Sequence, residues 1–396
     1  MDNIKKSFAA IIAEYNPLHN GHLFHIAKTK EQLQNEITII ALSGSFTQRG
    51  LPAILDKYTR AEHAILGGAD IVIELPTVFA LSNAEYFAKG GVKMLAALRG
   101  DGHLSFGSEC GDIRLLNNIA SLMNNEPTEV SADIKEGLTK LPFPAARANA
   151  FKAYANTHNI AIPDIDAPNN MLAIEYIRAI LQENHTLTPF TIKREGAGYH
   201  SFEVDSYISS KKARACIKNN DIAALKEKLP DYVINDIKNL NDNDNAAIIL
   251  HKLQSMNTAE LSELYDITEG LENRIKKYAD NSVNFHEFNK GIQTKRYTAS
   301  RLQRIITYAL LDITKELHAF ARDSKPYFNV LAINSLYTDY LSELSECGEL
   351  FTSNQQLADS NNPLARLDAK AFRIHRLLTE QKGSSGMIIV KNNYRF

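Results

Sequence analysis

Residues 7–22, SFAAIIAEYNPLHNGH, combine a strand signal, a chain-breaking turn and a helix signal. The apolar run 7–13 predicts a short buried strand. Asn16-Pro17 ends that strand, since proline lacks the N–H that a sheet ladder needs. From Gly21 onward an amphipathic pattern predicts a helix that ends near Gln34. A strand followed by a turn and a helix is typical of α/β proteins.

His19 and His22 lie at the start of that helix, three residues apart. Residues with this spacing share a helix face, and the free N–H groups and dipole of a first helical turn attract anions. Gly21 has no Cβ, so a nucleotide can approach the backbone between the histidines. We therefore expect this turn to bind phosphate. A polar helix cap is the alternative; zinc is less favoured, because no carboxylate or cysteine follows at ligand spacing on the helix.

The first half of the chain continues to alternate strand and helix patterns. This alternation predicts an α/β fold with a Rossmann-like parallel sheet that helices cover on both faces. After the first strand, further strands are predicted at residues 37–42, 69–75, 103–106 and 190–193. Ligands of such sheets bind beyond the carboxyl ends of the strands. The candidate positions are therefore residues 14–22, 43–50 and 107–109, together with Arg194.

The pattern divides the chain into three parts, residues 1–220, 221–290 and 291–396. The first is the α/β sheet domain, the second is polar and helical, and the third is mixed α/β. In the third part we expect an amphipathic helix with a basic patch, a strand at 328–333, a helix at 364–379 and an edge strand through 387–390.

Composition excludes several classes of protein. The 396 residues are 44% hydrophobic, as in a typical soluble protein, and no stretch approaches the ~20 apolar residues of a membrane span. The N-terminus has no signal-peptide pattern, so we expect a cytoplasmic location. Cys110, Cys216 and Cys347 are too few and too scattered for a disulfide framework or a zinc knuckle.

The net charge of −2 argues against indiscriminate binding to nucleic acid, which needs an excess of Lys and Arg. A local patch is still present at residues 295–304, KRYTASRLQR, which contain four positive charges, one aromatic and no acid. This run could dock an RNA through Tyr297, Arg296, Arg301 and Arg304, or it could be a solvated helix face.

Two further segments adjoin the predicted crevice. Residues 209–214, SSKKAR, predict a helix start whose serines, Ser209 and Ser210, either cap the helix or contact phosphate, with Arg214 one turn further in. Gln48-Arg49-Gly50 follows the second strand; it could hold a small substrate or be a plain loop, and we leave it outside the predicted site.

Taken together, the motifs resemble the tRNA(Met) cytidine acetate ligase family of the HIGH-motif nucleotidyltransferases. The stretches that carry the resemblance are 13–22 (AEYNPLHNGH), 48–50 (QRG), 68–76 (GADIVIELP), 106–109 (FGSE) and 193–200 (KREGAGYH). The basic run 295–304 is also similar to the C-terminal region of that family, so the resemblance extends over nearly the whole chain.

The resemblance implies an enzyme that makes acetyl-adenylate from acetate and ATP and releases pyrophosphate. It then transfers the acetyl group to N4 of the wobble cytidine of elongator tRNA(Met), giving N4-acetylcytidine without acetyl-CoA. Mg²⁺ is expected with ATP, and no protein-bound metal, membrane or DNA partner is expected. The three parts become an ATP-binding catalytic domain (1–220), a helical region (221–290) and a tRNA-binding region (291–396).

The resemblance also implies which residues hold ATP. They are Ile12, Ala13, Glu14, Tyr15, Asn16, Pro17, Leu18, His19, Asn20, Gly21, His22, Leu23, Phe24, His25, Gly107, Asn169 and Arg194. Adenylation needs positioning and charge stabilisation on the phosphates, so we assign His19 and His22 as the catalytic hydrogen-bond donors to the α and β phosphates.

Two other functions fit part of the pattern. An adenylyltransferase acting on a small phosphate ester would share the ATP motifs but would not need the long C-terminal part. A non-enzymatic RNA-binding scaffold would not require the combination of His19, Gly21 and His22. We therefore expect the ligase.

Overall fold

A computed structural model describes residues 6–141, 143–183, 187–194, 207–238, 240, 245–268, 270–294, 296–381 and 384–392. Its strands are β1 (Phe8–Ala13), β2 (Ile37–Ser43), β3 (Ile71–Leu75), β4 (Gly102–Ser108), β5 (Thr188–Lys193), β6 (Tyr327–Asn334), β7 (Glu349–Phe351) and β8 (Ile389–Lys391). Within this described part, no helix is both long and apolar enough to cross a bilayer.

The helices of the first half connect the strands and cover the sheet. They are α1 (Asn20–Leu33), α2 (Lys57–Leu66), α3 (Thr77–Ala80), α4 (Ala84–Ala96), α5 (Ile113–Asn124), α6 (Thr128–Gly137), α7 (Phe143–Thr157), α8 (Pro168–Glu183) and α9 (Ser210–Lys218).

The second half is mainly helical. Its helices are α10 (Asp231–Ile237), α11 (Ala247–Ser255), α12 (Thr258–Ser262), α13 (Leu271–Asn281), α14 (Phe285–Ile292), α15 (Ala299–Leu311), α16 (Lys315–Asp323), α17 (Tyr340–Cys347), α18 (Asn354–Asp359) and α19 (Pro363–Thr379).

The strands form one eight-stranded sheet with the order β5-β4-β1-β2-β3-β6-β7, and β8 also pairs with β6. The strands β1 to β5 are parallel, which confirms the predicted α/β fold with its Rossmann-like sheet. The later strand β6 runs antiparallel to β3, and β7 and β8 run parallel to β6. The C-terminal part thus extends the same sheet, and the division at residues 220 and 290 stays a prediction.

The predicted elements of this sheet are present, with ends that differ by up to two residues. Helix α1 begins at Asn20, one residue before the predicted start. The predicted C-terminal helix and edge strand correspond to α19 and β8. Of the basic run 295–304, Lys295 lies outside the described residues, and the helical part begins only at Ala299.

Side chains alternate between two cores on the two faces of the sheet. From β1 and β2, Phe8, Ala10 and Ile39 join the larger core, which also contains buried residues of α4, α5, α8 and α15. Ile11 and Ile40 join the smaller core, together with buried residues of α1 and α2. This period of two follows from the pleat of a strand. It places α1, with its histidines, and α8 on opposite faces of the sheet.

Arg60 of α2 is fully buried and joins the carboxyl ends of β1 and β2. Its Nη1 donates to the carbonyl oxygens of Glu14 (2.8 Å) and Ser43 (2.9 Å), its Nε donates to the carbonyl of Leu55 (3.0 Å), and its Nη2 donates to that of Gly44. Burial lowers the pKa of Arg60 to about 10, so the guanidinium stays charged at neutral pH. One cation therefore holds the turns after both strands.

Replacing Arg60 with Met keeps most of the volume but leaves these buried carbonyls without a donor. Because a buried polar group without a partner costs roughly 1–3 kcal/mol, we expect the free energy of unfolding to fall by at least about 3 kcal/mol. Urea denaturation of both proteins measures this free energy of unfolding. Arg114→Met is the matched control, since the Arg114 side chain is 87% exposed. A loss at Arg60 no larger than the loss at Arg114 would contradict this account.

Candidate functional site

An open pocket of about 510 Å³ lies at the carboxyl ends of β1, β4 and β5, beside the start of α1. The lining residues are His19, Gly21, His22, Phe24, His25, Gly107, Ile192, Lys193, Arg194, Tyr207 and Ile208. The pocket thus brings together predicted site residues from three separate segments of the chain.

His19 is the residue that precedes α1, and its extended backbone turns the chain into the helix. The side chain is buried, and its Nδ1 has no hydrogen-bond partner within the described part of the chain. The ring stacks on that of His22, with a centroid distance of 3.6 Å and an interplanar angle of 18°. His19 therefore brings to the pocket wall a ring nitrogen that has no partner among the described residues.

His22 is held by the backbone of the same turn. The N–H of His19 donates to Nδ1 of His22 at 3.2 Å. A nitrogen that accepts a hydrogen bond carries no proton, so the proton of the neutral ring is on Nε2. The Tyr15 ring packs on the other side, with its centroid 4.8 Å from that of His22. The turn thus fixes both the orientation of His22 and its role as a donor through Nε2.

Burial keeps the three histidines of the pocket neutral. Burial, together with a smaller effect of the positive charge of Arg194, lowers the pKa of His19 and that of His25 to about 4. The pKa of His22 lies well below its usual value, first because of burial and then because of His19 and Arg194. At neutral pH the positive charge on the wall therefore comes from Lys193 and Arg194, while the imidazoles act as neutral hydrogen-bonding groups.

His25 connects the pocket to the sheet. Its Nε2 lies 3.0 Å from the Ser105 hydroxyl on β4, which lies 2.7 Å from the hydroxyl of Thr29 on α1. These contacts tie the first turns of α1 to the neighbouring strand.

Two glycines leave room at the pocket wall. A Cβ on Gly21 would lie 3.1 Å from Cε1 and 3.2 Å from Nδ1 of His19, and a Cβ on Gly107 would lie 3.0 Å from Cγ of Arg194. These distances are shorter than ordinary van der Waals contacts, so a side chain at either position would displace a predicted site residue.

Other residues of the predicted ATP stretch support the turn and do not line the pocket. Asn16 accepts a hydrogen bond from the Ile54 N–H, Leu18 is fully buried and Asn20 donates to the Glu227 carbonyl. The side chains of Ile12, Ala13 and Leu23 pack against the two cores. The bond between Asn16 and Pro17 is a cis peptide.

Asn169 lies at the start of α8, outside the set that lines the pocket. Its side chain donates to Glu109 Oε1 at 2.6 Å, and its backbone N–H donates to the same oxygen at 3.1 Å. Glu109 follows β4, so this contact joins the turn after Gly107 to α8. A direct role for Asn169 in binding ATP stays a prediction.

Ser209 caps the N-terminus of helix α9. The Ser209 hydroxyl accepts a hydrogen bond from the Lys212 N–H, and Nη1 of Arg214 donates to the carbonyl of Asn16 at 2.7 Å. Arg214 therefore braces the turn before His19. Neither Ser209 nor Ser210 is among the residues that line the pocket.

Some lining residues were absent from the predicted site. Lys193 could have been found, because it ends the same strand that precedes Arg194. Tyr207 and Ile208 carry no local sequence signal, since only the tertiary fold brings them beside Gly21 and Phe24. Arg60 reads as an ordinary helical arginine, and its contacts depend on two distant turns.

The structure changes the predicted role of Tyr297 in the basic run. Its side chain is 8% exposed, so the ring is not available to stack on a nucleotide base. Arg301 lies over this ring at 5.0 Å and also forms an ion pair with Asp266 at 2.9 Å. Arg296 is exposed and Arg304 is partly buried.

The loop at Gln48-Arg49-Gly50 packs on helix α15. The Gly50 carbonyl accepts hydrogen bonds from the Thr307 hydroxyl (2.6 Å) and from Gln303 Nε2 (3.4 Å). Gly50 has a φ of +80°, and a Cβ there would lie 2.6 Å from the backbone nitrogen of Arg304. Glycine is therefore required, and the loop after β2 is held against the helix that carries the basic residues.

No cluster of three or more His, Cys, Asp or Glu side chains suited to a metal ion occurs among the described residues. The three cysteines are unpaired and half-buried.

Comparison with known proteins places the chain among related sequences along nearly its whole length. A family model described as HIGH Nucleotidyl Transferase matches residues 6–387. The tRNA(Met) cytidine acetate ligase of Clostridium novyi (strain NT) is 36% identical over 385 residues, covering 94% of this chain and 96% of that protein. The protein of the same name from Clostridium perfringens (strain SM101 / Type A) is 34% identical over 383 residues, covering 94% and 95%.

The fold is also similar to a solved structure. Thermotoga maritima TmcAL bound with alpha-thio ATP is 26% identical in sequence and superimposes with a TM-score of 0.84. The match covers 98% of this chain and 100% of that one.

Proposed function

The chain belongs to the HIGH nucleotidyl transferase family and, within it, to the tRNA(Met) cytidine acetate ligases, and from this membership we propose its reaction. The enzyme joins acetate and ATP into acetyl-adenylate and releases pyrophosphate. It then transfers the acetyl group to N4 of the wobble cytidine of elongator tRNA(Met), producing N4-acetylcytidine. This reaction takes place in the cytoplasm, where ATP and tRNA are available.

The pocket at the start of α1 supports the first step. Acetate attacks the α-phosphorus of ATP, and the protein contributes by holding the reactants in line and by stabilising charge on the phosphates. Gly21 in the first turn of α1, His22 with its proton on Nε2, and the cation of Arg194 all line this pocket. A convergence of donors and positive charge of this kind suits a polyphosphate and its departing pyrophosphate.

Neutral imidazoles fit this role well. A cationic histidine would be costly in the buried wall, whereas a neutral ring donates a hydrogen bond without that cost. His22 can donate from Nε2 because its Nδ1 is occupied by the His19 N–H. We assign His22 to the α and β phosphates, with His19 beside it, and Arg194 to the phosphates that leave. Mg²⁺ would accompany ATP and neutralise its phosphates, with no ligands required from this chain.

The C-terminal part supplies the contact with tRNA in this proposal. Arg296 lies just before α15 and Arg304 lies within it. Gly50 packs against the same helix. Phosphate contacts from such arginines set affinity and orientation and make binding sensitive to salt. Tyr297 takes no part in base stacking, because it is buried.

Two substitutions of His22 test its role as a donor. His22→Asn retains an acceptor near the Nδ1 position and loses the Nε2 donor, whereas His22→Gln can place an amide N–H near Nε2. We expect the asparagine variant to reduce acetate-dependent exchange of pyrophosphate into ATP by about 10²–10³-fold, as for the loss of one transition-state donor, and the glutamine variant to retain more. Equal exchange in both variants and the wild type would remove this role from His22.

The same assay tests the reaction class. Exchange that needs acetate supports acyl-adenylate formation, and exchange that proceeds without acetate would indicate an adenylyltransferase.

Charge reversal tests the proposed tRNA surface. The double variant Arg296→Glu/Arg304→Glu should weaken tRNA binding at least about tenfold and reduce its salt dependence, because two phosphate contacts are lost. Binding is measured by filter retention over a range of salt. Arg114→Glu, an exposed change on α5, serves as the matched control. Unchanged tRNA affinity in a double variant that still exchanges pyrophosphate would exclude this surface.

A further inference from the structure

A second polar cluster lies at the carboxyl end of β1, on the face opposite α1. It contains Glu14, Ser43, Gln48 and Tyr176, and we name it the Glu14 cluster. Ser43 follows the alternation of β2 that places Ile39 and Ala41 in the larger core, and Tyr176 of α8 belongs to that core. Glu14 likewise continues the alternation of Phe8, Ala10 and Ile12. None of these side chains is among the residues that line the pocket of His19 and His22, so Glu14, which the family resemblance assigns to ATP, lies outside that pocket.

Several polar atoms of the Glu14 cluster have no hydrogen-bond partner among the residues that the structure describes. The Gln48 Nε2, the Tyr176 hydroxyl and the Ser43 hydroxyl are buried and form no hydrogen bond within the described residues. Buried polar groups are nearly always paired, so a cluster of unpaired ones indicates that something else supplies their partners. Glu14 and Gln48 are only partly buried, and the charges of the exposed Arg49 and the partly exposed Arg214 act on Glu14.

The two carboxylate oxygens of Glu14 differ in their hydrogen bonding. Its Oε1 accepts the Gln48 N–H at 2.7 Å, and its Oε2 has no hydrogen bond within the described part of the chain. Burial raises the pKa of this carboxyl, while the Gln48 N–H and the charges of Arg60, Arg214 and Arg49 lower it. Burial also raises the pKa of Tyr176, and the negative charge of Glu14 contributes to this rise.

The loop after β2 connects the Glu14 cluster with helix α15. Gln48 contacts Glu14, and two residues later Gly50 is held by Thr307 and Gln303 of α15. A tRNA seated on α15 would therefore contact the element that positions the Gln48 side chain.

We propose that the Glu14 cluster receives the acceptor cytosine: Glu14 Oε2 accepts a hydrogen bond from the N4 amine and Gln48 Nε2 donates to N3 or O2. This assignment rests on the proposed function. The donor–acceptor pattern matches the edge of cytosine, whose amine pairs with a carboxylate. Uracil presents an oxygen at the same position and would be repelled. Acetate, the other small substrate, fits poorly because its negative charge would lie against Glu14.

Glu14 then acts as the base in acetyl transfer. The N4 nitrogen attacks the carbonyl carbon of acetyl-adenylate and forms the N–C bond, and the bond from that carbon to the phosphate oxygen breaks as AMP leaves with its electron pair. The amine proton passes to Glu14 and then to water. The products are N4-acetylcytidine, AMP and one proton. A carboxyl whose pKa is raised by burial is suited to accepting this proton at neutral pH.

Two variants test the proposal: Glu14→Gln removes the base, and Gln48→Met removes the donor. Glu31→Gln is the control, because it makes the same Glu-to-Gln change at an exposed carboxylate of α1. For each, pyrophosphate exchange, acetylation of a tRNA(Met) transcript and trapping of the acyl-adenylate by hydroxylamine are measured. Hydroxylamine is a free nucleophile that needs no base pocket. We expect the ratio of tRNA acetylation to exchange to fall about 10²-fold in Glu14→Gln, by loss of general-base catalysis, and about tenfold in Gln48→Met.

The ratio should stay at the wild-type value in Glu31→Gln, and hydroxamate formation should follow exchange in every variant. Equal loss of acetylation and exchange in Glu14→Gln would overturn the proposal and place Glu14 in adenylation or folding. A raised KM for acetate in Gln48→Met would also overturn it and assign the cluster to acetate. Absence of acetate-dependent exchange in the wild type would instead contradict the proposed function itself.

Discussion

The buried guanidinium of Arg60 is the constraint on which the site depends. It donates to carbonyl oxygens after β1, at the end of β2 and before α2, so that one charged group sets the path of three turns. The turn after β1 leads directly into His19 and α1, and the turn after β2 leads into Gln48 and Gly50. A single α2 residue thus holds the segments that build both the pocket of His19 and His22 and the Glu14 cluster. Hydrogen bonds to several carbonyls compensate for the cost of burying this charge.

The strand β1 separates two chemically different environments. On the α1 side, burial and Arg194 keep the imidazoles neutral, and donors face an open pocket. On the α8 side, a carboxylate with a raised pKa lies among polar atoms that have no hydrogen-bond partner in the described part of the chain. An anionic nucleotide suits the first environment, and an amine that must lose a proton suits the second. In the proposed reaction, the two would meet at the end of β1, where the acetyl group passes from phosphate to nitrogen.

Much of this arrangement was predictable from sequence because it is local. The run 7–22 contains its own strand, turn and helix signals, and the carboxyl ends of parallel strands must share one edge, which brings Gly107 and Arg194 to His19. Long-range contacts were not predictable. Nothing near Arg60 indicates that it binds the Glu14 carbonyl, and Tyr297 reads as a surface aromatic although α15 packs it inside. The sequence predicts β6 as a strand, but its antiparallel pairing with β3 involves residues that are far apart in sequence.

The most direct test of the account is to follow the oxygen atoms of acetate. Attack by acetate on the α-phosphorus leaves one acetate oxygen on that phosphorus, and cleavage of the acyl bond by the tRNA amine leaves it in AMP. Acetate labelled with ¹⁸O, supplied with ATP and tRNA(Met) and analysed by mass spectrometry, should therefore yield AMP that carries one ¹⁸O for each acetylcytidine formed. Unlabelled AMP, or label in inorganic phosphate, would contradict acetyl-adenylate as the intermediate.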